Sequence, residues 1–194
     1  MVRGMYLYSI QDREVVTMIV PAISLRNELN HIFQGLPLEK VRFLNSSGYR
    51  KYELSIPRED EWGCVSYAVL NPTDGKPIGL LASHLNIKGH FVSNFVVINF
   101  YGPSVHFMRG LAEYIFLIFE EYKYNHVEFY CSSRHPSIGL YEKFLSMCGG
   151  SLVGVLKRNF VEINNELSDK NIYQIMREDF EGRSEVLRRY LRRG

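Results

Sequence analysis

From Val65 to Tyr101 the chain is dominated by apolar, β-branched and aromatic positions broken by turn-forming clusters. VSYAVL and IGLLASHL flank NPTDGKP, where Asn71, Pro72, Asp74, Gly75 and Pro77 favour a reversal, so the pattern predicts a β-hairpin. VSNFVVINFY, residues 92 to 101, is almost continuously apolar, which predicts a strand covered on both faces at the sheet centre. After Gly102 and Pro103, Ser104 is placed to cap a helix whose apolar stripe runs through Met108, Leu111, Ala112, Ile115, Phe119 and Tyr122. HVEFYCSS then alternates Val127, Phe129 and Cys131 against Glu128, Tyr130 and Ser132, the period of a strand.

Pro136 suits the first turn of the next helix, which carries Ile138, Tyr141, Phe144, Leu145 and Cys148 on one face and stops at Gly149 and Gly150. Two strands, near 152 to 163 and 171 to 178, are joined by NNELSDK as a further hairpin. Upstream, Ala22, Leu25, Leu29, Ile32 and Phe33 share one face of a helix over about 22 to 34, ended by Gly35 and Pro37. Residues 41 to 63 have weak periodicity and read as a mobile flap. The order strands, helix, strand, helix, strands predicts an α/β (α+β) chain with a mixed sheet and helices on both faces.

Composition narrows the function classes. The 194 residues are 46% hydrophobic and 23% charged with net charge +2, the profile of a globular chain that makes no strong claim on an acidic or basic partner. Neither repeats nor a long linker divide the sequence, so one domain over 1 to 194 is expected. MVRGMYLYSIQDREVV has too short an apolar run for a secretory signal, and the apolar stretch from Leu111 to Phe119 is far short of a membrane span. Cys64, Cys131 and Cys148 are odd in number and lack C-x-x-C spacing, which points to reduced thiols in a cytoplasmic protein and away from disulfides or a metal site.

The arginines of EGRSEVLRRYLRRG lie around an apolar strip of Val186, Leu187, Tyr190 and Leu191. Such a cluster can grip phosphates, but it is more often a solvated helix end, and with near-neutral charge nucleic acid is not the expected partner.

PSIGLYEKF, residues 136 to 144, resembles the N-x-x-S-I-x-L-Y-E-K helix of the GNAT superfamily of N-acetyltransferases at Ser137, Ile138, Leu140, Tyr141, Glu142 and Lys143. The tail DKNIYQIMREDF resembles the branch containing ribosomal-protein alanine N-acetyltransferases at Asp169, Tyr173, Asp179 and Phe180. The resemblance covers residues 78 to 180 and implies a GNAT-like, mostly antiparallel seven-stranded sheet splayed at its centre. It also implies acetyl-CoA as cosubstrate in the split, and transfer of its acyl group to an amine of a small molecule or peptide.

The family's pyrophosphate loop of small residues is replaced here by YGPSVHFMRG. Pro103 lacks a backbone donor, and the family's asparagine before the tyrosine helix is Arg134. Anion contacts are therefore expected from Gly102, Ser104, His106, Arg109 and Arg134, and an oxyanion donor from the backbone of Ile98, Asn99 or Phe100.

By spacing alone Tyr141 is a core tyrosine; the resemblance makes it the acid that protonates the departing thiolate. Glu128 is a candidate general base or a carboxylate reaching solvent, and His84 and His90 are further candidates that a strand or turn can also hold structurally. The enzyme reading stands beside a catalytically weakened GNAT-fold binding or regulatory module.

Overall fold

A computed structural model describes residues 18–37, 41, 56, 63–102, 104–162 and 165–192. Most of the 41 to 63 flap and Pro103 lie outside the described residues. Seven strands form one sheet in the order β1-β2-β3-β4-β5-β7-β6. They are β1 Ile19–Pro21, β2 Cys64–Leu70, β3 Pro77–Asn86, β4 Phe91–Asn99, β5 His126–Ser132, β6 Ser151–Val161 and β7 Leu167–Met176. All neighbours pair antiparallel except β4 and β5, which run parallel. The strand expected at the centre is the fourth of seven.

The described helices follow the apolar periodicity. After a 3-10 turn at Ala22–Leu25, α1 spans Arg26–Gln34 and closes at Gly35, as expected from its stripe. It buries Leu29 and Phe33 against Ala68, Leu80, Ile98 and Phe100 on one sheet face. On the other face lie α2 (Val105–Phe116, continued by a π turn at Leu117–Glu121), α3 (Ile138–Cys148) and α4 (Arg177–Arg192). Their buried residues, among them Leu111, Ile115, Phe144, Leu145, Phe180 and Leu187, share one core with Val69, Leu81, Val127 and Ile175. A β-carbon at Gly110 would come within 2.5 Å of Val69, so only glycine lets α2 lie this close to β2.

Four boundaries differ from the sequence expectation. Strand β1 is three residues long, too short for any periodicity to register, and is held by pairing to Tyr67–Val69 and by Glu113 accepting from the Met18 amide at 2.9 Å. Pro136 lies in the turn before α3, which starts at Ile138, because His135 and Ser137 close that turn first with their own backbone groups. Strand β7 begins at Leu167 rather than 171, because Asp169 accepts from the Arg158 amide and Lys157 across the ladder, making part of the polar NNELSDK run a cross-strand pair. Helix α4 starts at Arg177, at the end of the second expected strand, because Arg177 donates to the carbonyls of Phe119 and Tyr124 while Phe180 is buried.

Glu113 yields a stability prediction. Burial raises its carboxyl to about 7, against the lowering effect of the Met18 and Ile19 amides. A folded pKa above the unfolded one means the stability this carboxyl contributes is fully present below about pH 4.5 and is lost as pH rises through about 7. Urea unfolding of Glu113→Gln, which keeps an acceptor for Met18, should lack this dependence. The difference in unfolding free energy between the two proteins should change by about 2–3 kcal/mol between pH 4.5 and 8. Parallel pH profiles would show that the carboxyl is not so buried.

Candidate functional site

Strands β4 and β5 start side by side but pair only at Phe91 with His126 and Val92 with Val127. Beyond that they part. Opposite Ser83 of β3, strand β4 carries both Asn94 and Phe95, one residue more than its partner, and Asn94 adopts φ +50. A bulge of this kind adds local twist and bends its strand. Phe95 turns into the gap, stacked on Tyr114 at 5.5 Å and tilted against Phe129 at 5.9 Å. Across the gap the two strands are bridged by a side-chain bond, from Tyr130 Oη to Asn94 Oδ1 at 2.9 Å.

The cleft so formed is apolar. Phe95 and Val97 line one wall and Val127 and Phe129 the other, with Leu111 and Ile115 of α2 and Tyr141, Phe144 and Leu145 of α3 behind them. Main-chain groups supply its polarity. Phe100 donates its amide to Ile78 of β3, so the two-residue period also turns the Ile98 amide toward β3 and those of Val97 and Asn99 toward the cleft. The side chains of Ile98 and Phe100 are buried in the α1-side core. Of the three expected backbone donors, Asn99 therefore faces the cleft, and Val97, which the sequence reasoning did not name, joins it.

At the end of β4, Asn99 Oδ1 accepts from the amides of Tyr101 at 3.2 Å and Gly102 at 3.1 Å, and Gly102 adopts φ +96. This turn delivers the chain to α2, where Ser104 Oγ accepts from the Phe107 amide at 3.4 Å and the Ser104 carbonyl accepts from Met108. First-turn amides that have no intrahelical acceptor point out of a helix N-terminus with its partial positive charge. Beside it, His106 Nδ1 and Arg109 Nε are buried without a hydrogen-bond partner. Gly102 and Ser104 thus lie at the turn into α2, and His106 and Arg109 on its first two turns, on the helical stripe that continues to Glu113 beside β1. Arg134 is engaged elsewhere, pairing with Glu166 at 3.1 Å while its amide donates to Ser132 Oγ.

Tyr141 projects into the cleft. Burial, with a smaller contribution from Cys131, pushes its hydroxyl up to about 12, so it holds its proton and can donate it. His135, also absent from the sequence expectation, lies 5.1 Å from the Tyr141 ring. Its Nδ1 accepts from the Ser137 amide at 3.1 Å, which leaves the proton on Nε2, and burial lowers it to about 4. An imidazole followed by Pro-Ser at a helix start was its one visible sign.

Glu128 lies on the opposite face of β5 from Val127 and Phe129. It is 44% exposed, 3.5 Å from His126 Nε2, and accepts from Gln174 at 3.4 Å. His84 stands on that same sheet face, against Cys64. His90 lies in the β3–β4 turn, with its carbonyl accepting from Asn125 and its ring 6.1 Å from Tyr124. Arg188 of α4, part of the basic tail, is held by Glu120 and lies over Phe116.

No family model and no curated protein matches the sequence. Solved structures do match the fold. A GCN5-related N-acetyltransferase from Brucella melitensis superposes with a TM-score of 0.65 at 12% identity, over 89% of this chain and 81% of that one. A mutant of the spermidine N-acetyltransferase SpeG from Vibrio cholerae gives 0.62 at 19% identity, over 82% and 94%. A chimera of that enzyme with hSSAT gives 0.64 at 14% identity, over 86% and 99%. At these identities the likeness is one of fold, and the fold is that of the GNAT N-acetyltransferases.

The Asn99 turn carries the position of the α2 N-terminus. Asn99→Ala removes the acceptor for two amides and should lower unfolding free energy by about 1–3 kcal/mol, whereas Asn99→Asp, which keeps it, should lose less. Equal losses in chemical denaturation would show that the side-chain acceptor does not hold the turn.

Proposed function

We propose that the protein is an acyl-CoA-dependent N-acyltransferase that moves the acetyl group of acetyl-CoA to an amine. One observation carries this reading: two central parallel strands part to form an apolar cleft with inward-facing amides, a helix N-terminus at one end and a protonated tyrosine within.

In this reading the amides near Ser104, with His106 and Arg109, hold phosphate oxygens of the donor, and the cleft walls take its apolar arm. The amide of Val97 or Asn99 donates to the oxygen that becomes negative when a neutral amine attacks the thioester carbon. The carbon–sulfur bond then breaks, and Tyr141 donates its proton to the departing thiolate. The attacking amine loses its proton to Glu128, His84 or water on the opposite sheet face. Acid and base on opposite faces suit a transfer in which donor and acceptor meet across a split sheet.

The acceptor is a small-molecule or peptide amine. Solved relatives of this fold include spermidine N-acetyltransferases, and the tail DKNIYQIMREDF resembles the ribosomal-protein branch. None of the three cysteines forms a disulfide, which supports a reducing, cytoplasmic setting, and among the described residues no helix is long and apolar enough to cross a membrane. The pairing of Arg188 with Glu120 favours a structural role for that part of the basic helix over nucleic-acid binding.

Two measurements test the reading. Acetyl-CoA at about 100 times its Kd should stabilise the fold by about 2.7 kcal/mol and raise Tm. No shift and no calorimetric heat would favour the alternative, a GNAT-fold binding or regulatory module. Tyr141→Phe should retain the fold and CoA affinity while lowering chemistry-limited turnover by about 10²-fold. Undiminished turnover would remove Tyr141 from the acid role.

A further inference from the structure

Cys64 and His84 form a pair that neither the core nor the proposed transfer uses as a unit. Cys64 opens β2 and stands directly across the ladder from His84 on β3, with Sγ 2.9 Å from Nε2. Between them in sequence register, Val65 packs into the α2-side core and Ser83 bonds Tyr114. Strand alternation therefore turns Cys64 and His84 to the other face, beside Ser66 and Ala82. His84 is exposed and Cys64 half-buried.

The remaining two thiols are unlike this one. Cys131 and Cys148 are buried in the main core, and burial pushes them up to about 11 and about 12. A thiol reacts as its thiolate, which an adjacent imidazole can generate by taking the proton and then stabilise as the cation. Strands β2 and β4 are two ladder steps apart, about 10 Å. Cys64 is thus set away from the cleft, while His84 is one ladder step from β4, opposite Ser93, and both side chains lie on the sheet face opposite Tyr141.

We propose that Cys64 and His84 form a reactive thiol site that exchanges with small disulfides of the glutathione type. The Sγ proton passes to His84 Nε2. The thiolate attacks one sulfur of the incoming disulfide, forming a bond from Cys64 to that sulfur and breaking the original sulfur–sulfur bond. The second sulfur leaves as a thiolate and takes the proton back from His84. Cys64 is oxidised and the leaving half is reduced, so the disulfide is the only oxidant required, and a second thiol reverses the step.

The test uses the full native chain and 5,5′-dithiobis(2-nitrobenzoate), with peptide mapping of the product, followed by oxidised glutathione. One equivalent should react quickly and map to Cys64, Cys64→Ser should abolish it, and Cys131 and Cys148 should react only in denaturant. The thiolate absorbance at 240 nm and pH 7, taken as the difference from Cys64→Ser, should fall several-fold in His84→Gln. It should approach the roughly 3% ionisation of an unassisted thiol. Fast reaction at Cys131 or Cys148, no native-state reaction, or an undiminished thiolate signal in His84→Gln would each overturn the proposal.

Discussion

The structure depends on a shortage of pairing at its centre. Two parallel strands in the middle of a sheet would ordinarily satisfy each other's backbone groups along their whole length, yet β4 and β5 share only two residue pairs. The separation is built in from both sides. The two-residue bulge at Asn94 and Phe95 adds twist to β4, and antiparallel β7 pairs with β5 from His126 to Ser132 and so anchors it. Phe95, packed between Tyr114 and Phe129, occupies the point of divergence, while the Asn94 to Tyr130 bond bridges the strands without closing the main-chain gap.

Unpaired amides in an apolar setting are costly unless something accepts from them, and this connects fold to site. The amides of Val97 and Asn99 are turned into the cleft by the same alternation that commits Phe100 to β3. At one end of the cleft the Asn99 turn and the Ser104 cap set where α2 begins, and its first two turns carry His106 Nδ1 and Arg109 Nε, buried and lacking partners. In the proposed reading, an acceptor-rich ligand with an apolar portion satisfies the inward amides and the helix N-terminus together. Burial of Tyr141 in the same space keeps its proton in place for donation.

Much of this was legible in sequence, for reasons that also explain the gaps. Long periodic elements registered: the hairpin around NPTDGKP, the apolar central strand, and the helices ending at Gly35 and Gly149. The helix of Tyr141 was further marked by PSIGLYEKF. Strand β1 escaped because three residues carry no period, and the β6–β7 turn was set too long because Asp169 looks like a loop residue until it meets Lys157 across a ladder. The bulge was hidden because it is made at an asparagine, a residue that tolerates positive φ without glycine's visibility. Without the bulge and its register, the inward amides could be assigned only to the neighbourhood of 98 to 100, and Val97 was missed. Arg134, aligned with a family binding position, also pairs with Glu166, a contact between segments 32 residues apart that local spacing cannot reveal.

The central claim is that the gap between β4 and β5 receives the CoA donor through its own unpaired amides. Backbone hydrogen exchange, read residue by residue with and without CoA at constant salt, tests this most directly. The account predicts slowed exchange at Val97 and Asn99 and in the first turn of α2 after Ser104, with the amides that already bond β3, such as Phe100, little changed. Protection confined to other parts of the sheet, or no protection at Val97 and Asn99 under saturating CoA, would contradict it.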